Sequence, residues 1–178
     1  MRLWNVILTI NQWHFRAAFR LLRPLGAVGR TRFYNVLTMH VDDLEATLEA
    51  LKQLTESDER AAETICRVAP VTDVFGFTSD ESFVAGACEV LARWLPQLAG
   101  RTFHVRVHRR GGPLEITSYA AERLLGGYVW QELQRANTPA RVSFDDPDAI
   151  VNVETLEDRA GLALWTREQL ARYPFLRE

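Results

Sequence analysis

Apolar positions along this chain follow two periods, and the alternation between them marks out the elements. Residues 3–10 read as a strand, and residues 13–22 keep helical spacing until Pro24 and Gly26 end it. Residues 27–32 and 34–40 are two short strand candidates. Asp42 then reads as a helix cap, with Glu45 in capping-box position and Leu44, Leu48, Leu51 and Leu54 as the apolar stripe. Residues 64–68 form a further short strand. The order β-α-β-β-α-β is that of a ferredoxin-like sandwich, so an α+β fold is expected, with residues 1–72 as an N-terminal ferredoxin-like domain.

A second domain, residues 73–178, is expected after the connection at 70–78. Thr78 with Glu81 reads as a capping box, and Phe83, Val84, Ala87, Cys88, Leu91, Leu95 and Leu98 hold helical spacing up to Gly100. Pro96 should bend that helix or end it early. A strand at 101–110, a helix at 118–133, strands near 141–144, 150–155 and 162–165, and a short terminal helix capped by Thr166 and Gln169 complete the pattern. Gly126 and Gly127 inside a helix each cost about 1 kcal/mol relative to Ala. Close approach of that helix to the sheet is the favoured reason for the pair, and close approach of RNA backbone is the second.

The strand at 101–110 alternates Phe103, Val105 and Val107 with Thr102, His104, Arg106 and His108, which predicts one buried and one wet face. Arg101, Arg106, Arg109 and Arg110 lie along it with no acid between them, and Gly111-Gly112-Pro113 stops it. Guanidinium groups so arranged suit phosphates, as bidentate forks. A charged edge strand that discourages sheet-to-sheet pairing reads equally well from the strand alone.

Charge tips that balance. The net charge is only -2, but the signs are segregated. Arg2, Arg16, Arg20, Arg23, Arg30 and Arg32 meet no acid before Asp42, and residues 42–100 then carry twelve acids. Residues 101–141 hold seven arginines against Glu115, Glu122 and Glu132, and the last 37 residues are acidic again. Two basic blocks converging on one face would attract a polyanion despite the acidic total.

Other chemistry is sparse. Asp145, Asp146 and Asp148 would suit a hard cation, but a turn with Pro147 fixing φ is the preferred reading, and no metal or cofactor is expected. His104 and His108 lie about 13 Å apart along a strand, too far to ligate one metal. Cys66 and Cys88 lack ligand spacing, and Cys88 falls on an apolar helix stripe as a reduced thiol. No apolar run reaches the roughly 20 residues of a membrane span, and the first residues read as a strand and not a signal peptide. A cytoplasmic location, with no membrane or DNA partner, is expected.

The run Phe103-His-Val-Arg-Val-His-Arg-Arg-Gly111, the helix with Glu122-Arg-Leu-Leu-Gly126, and Val142-Ser-Phe-Asp-Asp-Pro-Asp148 with Ile150-Val-Asn-Val-Glu154 resemble a THUMP domain. Trp4-Asn-Val and Asn35-Val-Leu resemble the leader domain of stand-alone THUMP proteins. The resemblance implies an α/β RNA-binding module behind the ferredoxin-like domain, with tRNA as partner. Most such modules are fused to a catalytic domain; this chain ends at Glu178, so the expectation is the stand-alone kind, an adaptor for a separate RNA-modifying enzyme, an acetyltransferase by resemblance. A further expectation from the resemblance is that tRNA is held by its single-stranded 3′ end and acceptor stem.

The candidate RNA-binding residues are Arg106, Arg109 and Arg110, joined by Arg101 and Arg123, with Arg30 and Arg32 extending the track. Phe33 or Tyr34 is the candidate for stacking on a base, with Phe33 assigned rather to the core. The competing reading is a scaffold protein that has lost RNA binding and uses its acidic blocks with Trp165 and Phe175 as a partner surface. A small metal-dependent enzyme built on the aspartate turn is the weakest reading.

Overall fold

The first sheet is organised around its earliest strand. The computed structural model describes residues 4–177; Leu3, assigned to the first strand from sequence, lies outside the described residues, as does Arg2 of the basic block. Strand β1 (Val6–Ile10) is followed by a 3-10 turn (Gln12–His14), α1 (Phe15–Leu22), β2 (Ala27–Arg30), β3 (Val36–His40), α2 (Leu44–Ser57), α3 (Glu59–Thr64) and β4 (Ile65–Pro70). The strand order is β2-β3-β1-β4, antiparallel throughout, which is the ferredoxin-like arrangement. Val6, Ile7, Leu8 and Ile10 are all buried, as a central strand requires. Asn5 ties the sheet's end by accepting from Val41 N–H (3.0 Å) and donating to Val41 C=O (2.8 Å).

Two details differ from the sequence pattern. Asp43, not Asp42, caps α2, accepting from Ala46 N–H at 2.9 Å. The six-residue α3 has no apolar stripe and escapes a periodicity reading; Asp58 ends α2 and caps α3 by accepting from Arg60 N–H (2.9 Å). The segment from Leu170 onward clusters with this first unit, which otherwise ends at Pro70, while Val71–Gln169 form the second. Tyr173 and Arg172 both donate to Glu49 of α2, and this lowers the Glu49 carboxyl pKa.

The second unit contains β5 (Asp73–Gly76), α4 (Asp80–Leu98), β6 (Thr102–His108), α5 (Ser118–Arg135), β7 (Arg141–Val142), β8 (Ala149–Leu156) and β9 (Arg159–Thr166). Helix α6 (Arg167–Arg172) follows directly, and its first turn carries the expected reciprocal bonds between Thr166 and Gln169. The sheet order is β5-β9-β8-β6-β7, with β6 parallel to β7 and β8. β5, hidden in the stretch read as a connection, pairs with β9. α4 starts one residue later than expected, with Ser79 and Ser82 as the capping box. It also runs through Pro96: Pro96 and Ala92, one turn back, are both exposed, so the carbonyl that loses its partner faces water. Phe83, Leu91 and Leu98 of α4 and Leu125 and Val129 of α5 share one core with Phe103, Val105, Val107, Val151 and Val153.

The aspartate turn is a clasp. Asp148 Oδ2 accepts from both Thr102 N–H and Thr102 Oγ1 (2.8 Å each), tying β8 to the start of β6. Arg167 lies 3.3 Å from Asp146 and 3.2 Å from Asp148, answering the acidic charge from across the turn. The Thr102 bonds, with help from Arg167 and Arg101, hold the Asp148 carboxyl below the usual aspartate range. A tighter constraint sits after β6, where Gly112 adopts φ +83° and a Cβ there would lie 1.9 Å from Glu157 O.

Two outcomes follow from these contacts. Gly112→Ala should lose several kcal/mol, because about 1–3 kcal/mol of backbone strain adds to a main-chain clash; thermal denaturation reads this directly. Because the folded Asp148 pKa is depressed, its contribution is complete above the unfolded value near 3.9 and is lost as pH falls through the folded value. Urea midpoints of wild type and Asp148→Asn should therefore differ most at neutral pH and converge in acid.

Candidate nucleic-acid interface

β7 pairs with β6 at only two positions, Thr102↔Arg141 and Phe103↔Val142. Beyond Phe103 the outer edge of β6 has no strand opposite it among the described residues. Glu122, reaching down from α5, accepts from Val107 N–H at 2.9 Å and so satisfies one main-chain donor of that edge. Between α5, the edge of β6 and residues 142–144 lies a trough of about 390 Å³. Phe103, His104 and Val105 form its floor, with Tyr119, Glu122, Arg123, Gly126, Gly127 and Trp130 on one wall and Val142 and Phe144 on the other.

The trough is lined by aromatic side chains that solvent reaches: Tyr119 and Phe144 are each 68% exposed and Trp130 47%. Phe144 stacks on His104 at 5.4 Å between ring centres, and Ser143 C=O holds His104 Nδ1 at 2.9 Å. His104, expected on the wet face, is therefore buried. The glycine pair does not serve close approach to the sheet. A Cβ at Gly126 would meet Val105 at an ordinary 3.7 Å, and one at Gly127 would meet nothing within 4 Å. Missing side chains there leave the trough open.

The arginines assigned from sequence divide sharply. Arg101 and Arg123 are exposed, and Arg123 lies 5.8 Å over the Tyr119 ring at the trough's wall. Arg106 is exposed, 3.7 Å from Glu122. Arg141, paired opposite Thr102, is exposed as well and adds a guanidinium that sequence reasoning left out. Arg109 and Arg110 are placed differently from the expectation. The Arg109 guanidinium donates to Leu114 C=O and Ile116 C=O, and Arg110 forms an ion pair with the fully buried Glu154. Both fasten the loop after β6 to the second unit, and a carboxylate buried beside Asn152 keeps Arg110 there.

In the first unit, Arg30 lies over Phe15 (5.0 Å) and Phe19 (5.4 Å), beside Arg16, Arg20 and Arg23 in a shallow basic depression. Arg32 covers the half-buried Phe33 at 5.4 Å, and Tyr34 is exposed. Trp165 is only 5% exposed, and Phe175 is half-buried and stacks on Tyr173. Cys88 is half-buried in the α4 stripe, which raises its thiol pKa, and Cys66 is exposed. Among the described residues, no group of three or more His, Cys, Asp and Glu is placed to hold a metal, and no helix is long and apolar enough to cross a membrane.

Tyr119, Trp130 and Phe144 were missed in the sequence, although a signal for two of them was present. Tyr119, Glu122, Arg123, Gly126, Gly127 and Trp130 form one stripe of α5, beside the buried stripe of Ala121, Leu125, Val129 and Leu133.

Comparison with known proteins agrees with this geometry. The THUMP domain model matches residues 77–164. The tRNA sulfurtransferase of Klebsiella pneumoniae (strain ATCC 700721 / MGH 78578) is 40% identical over 86 residues, 48% of this chain. That of Salmonella paratyphi B is 37% identical over the same length. The matched stretch is only 17% of the length of either relative. Among solved structures, TrmN from Thermus thermophilus superposes with a TM-score of 0.59 at 17% identity, over 89% of this chain and 44% of its own. A 4-thiouridine synthetase solved with RNA and ATP gives 0.58 at 14% identity, over 90% of this chain and 40% of its own. The ferredoxin-like order of the first unit and the basic strand of the second thus belong to a chain that carries a THUMP domain at residues 77–164.

Proposed function

We propose that this chain is a non-catalytic tRNA-binding protein that presents tRNA, by its 3′ end and acceptor stem, to a separate tRNA-modifying enzyme. The observation that carries the reading is the aromatic trough of the THUMP unit with arginines on and beside it. Flat side chains open to solvent stack on unpaired bases, and guanidinium groups answer the phosphates between them. The relatives matched over this same segment are named tRNA sulfurtransferases, and one fold neighbour was solved as an RNA complex. An adaptor role fits the chemistry of the trough, which offers stacking surfaces and one carboxylate already engaged by Val107 N–H.

Arg101, Arg106, Arg123 and Arg141 are the phosphate contacts of this unit, and Arg30 and Arg32 are those of the first. Arg109 and Arg110 support the site as positioning residues. Anisotropy titration of tRNA across a salt series tests the reading. Six contacts predict a slope of log affinity against log salt of about -4 to -5, reduced by roughly one for each of Arg101→Glu, Arg123→Glu and Arg141→Glu. These exposed substitutions should move stability by no more than about 0.5 kcal/mol. Arg110→Ala should instead cost about 3–5 kcal/mol in urea denaturation, because it strands a buried carboxylate. Salt-insensitive binding, or the same affinity for tRNA trimmed of its 3′ end, would sink the proposal.

A further inference from the structure

Helix α1 carries a charge pattern that its own fold does not call for. Trp13, Arg16, Arg20 and Arg23 are all exposed and recur at three- and four-residue steps from the 3-10 turn to the end of α1. They form one row about 15 Å long. Arg16 and Arg20 are like charges at i and i+4, which repel, and Arg16 lies in the first turn, where the helix dipole disfavours a cation. No acid precedes Asp42 in the sequence, and no carboxylate lines the depression beside the row among the described residues. That depression measures about 700 Å³ and has the half-buried Phe15 and Phe19 as its floor, with Pro24 at its border. Arg30 lies over both rings and occupies a face on which a base would stack. At the head of the row Trp13 is 79% exposed and adds a large apolar surface.

Resting on the tRNA-presenting reading for the identity of the partner, we infer that this row and its depression are the docking surface for an acidic amphipathic helix of the separate modifying enzyme. Carboxylates three and four residues apart on such a helix stand at the same intervals as Arg16, Arg20 and Arg23, because both rows follow one period. The apolar stripe of the incoming helix fills the depression over Phe15 and Phe19 and packs against the Trp13 indole. Trp and Arg around a partly buried apolar floor match the composition of protein–protein interface cores. A phosphate backbone answers the arginines equally well but gains nothing from the apolar floor, whereas an amphipathic helix uses both.

The experiment titrates the full chain with a labelled helical peptide of about 18 residues, with leucines at three- and four-residue steps and glutamates between them, and with a twin carrying glutamine for glutamate. The glutamate peptide should bind, weaken as salt rises, and lose about tenfold in affinity with Arg16→Glu/Arg20→Glu, since each reversal turns an exposed attraction into a repulsion of similar size. The glutamine twin should bind about tenfold more weakly to the wild type, without the salt dependence. Trp13→Ala should weaken the glutamate peptide and leave its salt dependence in place, which a purely ionic attraction would not show. All these positions are exposed, so the melting temperature and the salt slope for tRNA should stay at their wild-type values. Equal binding of the two peptides, no binding at low salt, or indifference to Trp13→Ala overturns the inference and leaves tRNA binding untouched. A double variant that loses tRNA affinity as steeply as peptide affinity overturns it too, by making the row an RNA surface. Selective peptide binding without any tRNA binding keeps the docking surface and removes the presenting role.

Discussion

Strand β7 stops after two residues, and the character of the second unit depends on that. A longer β7 would have consumed the main-chain groups of β6 in a regular ladder. Instead the edge from His104 onward lies beneath α5, where Glu122 satisfies Val107 N–H and the open trough borders Val105. Unpaired strand edges invite association with other chains. Here the Glu122 carboxylate and the helix that carries it cover part of that edge, and the rest borders the trough.

Around that edge the arginines do two kinds of work. Arg109 and Arg110 are bound inward, one to backbone carbonyls and one to the buried Glu154, because a charge removed from water must meet its partner at close range. They hold the chain where it leaves β6 and turns through Gly112 against Glu157. Arg101, Arg123 and Arg141 remain at the surface, where they are available to a polyanion. The basic run at 101–110 thus holds exposed arginines, Arg101 and Arg106, beside inward-bound ones, Arg109 and Arg110.

The glycine pair of α5 belongs to the same economy of space. A helix through the middle of a domain loses stability at Gly126 and Gly127, and packing against the sheet does not require it at either position. What the two glycines do is leave room between Trp130, one turn after them, and Tyr119, two turns before.

Much of the architecture was legible from residue order alone. The β-α-β-β-α-β order of the first unit, the buried alternation of Phe103, Val105 and Val107, and the long α4 and α5 all follow from local periodicity, which main-chain geometry translates directly into structure. Two short elements were not legible: α3 lacks an apolar stripe, and β5 exists because β9 lies beside it. The site divides along the same line. Residue order alone follows a basic strand with a helix that bears Tyr119, Arg123 and Trp130 on one stripe. Which arginines face inward depends on the folded chain, because Glu154 lies 44 residues from Arg110 and the carbonyls that hold Arg109 belong to a loop with no periodic signal. Burial and pairing are set by neighbours in space, and those neighbours are chosen by the whole fold.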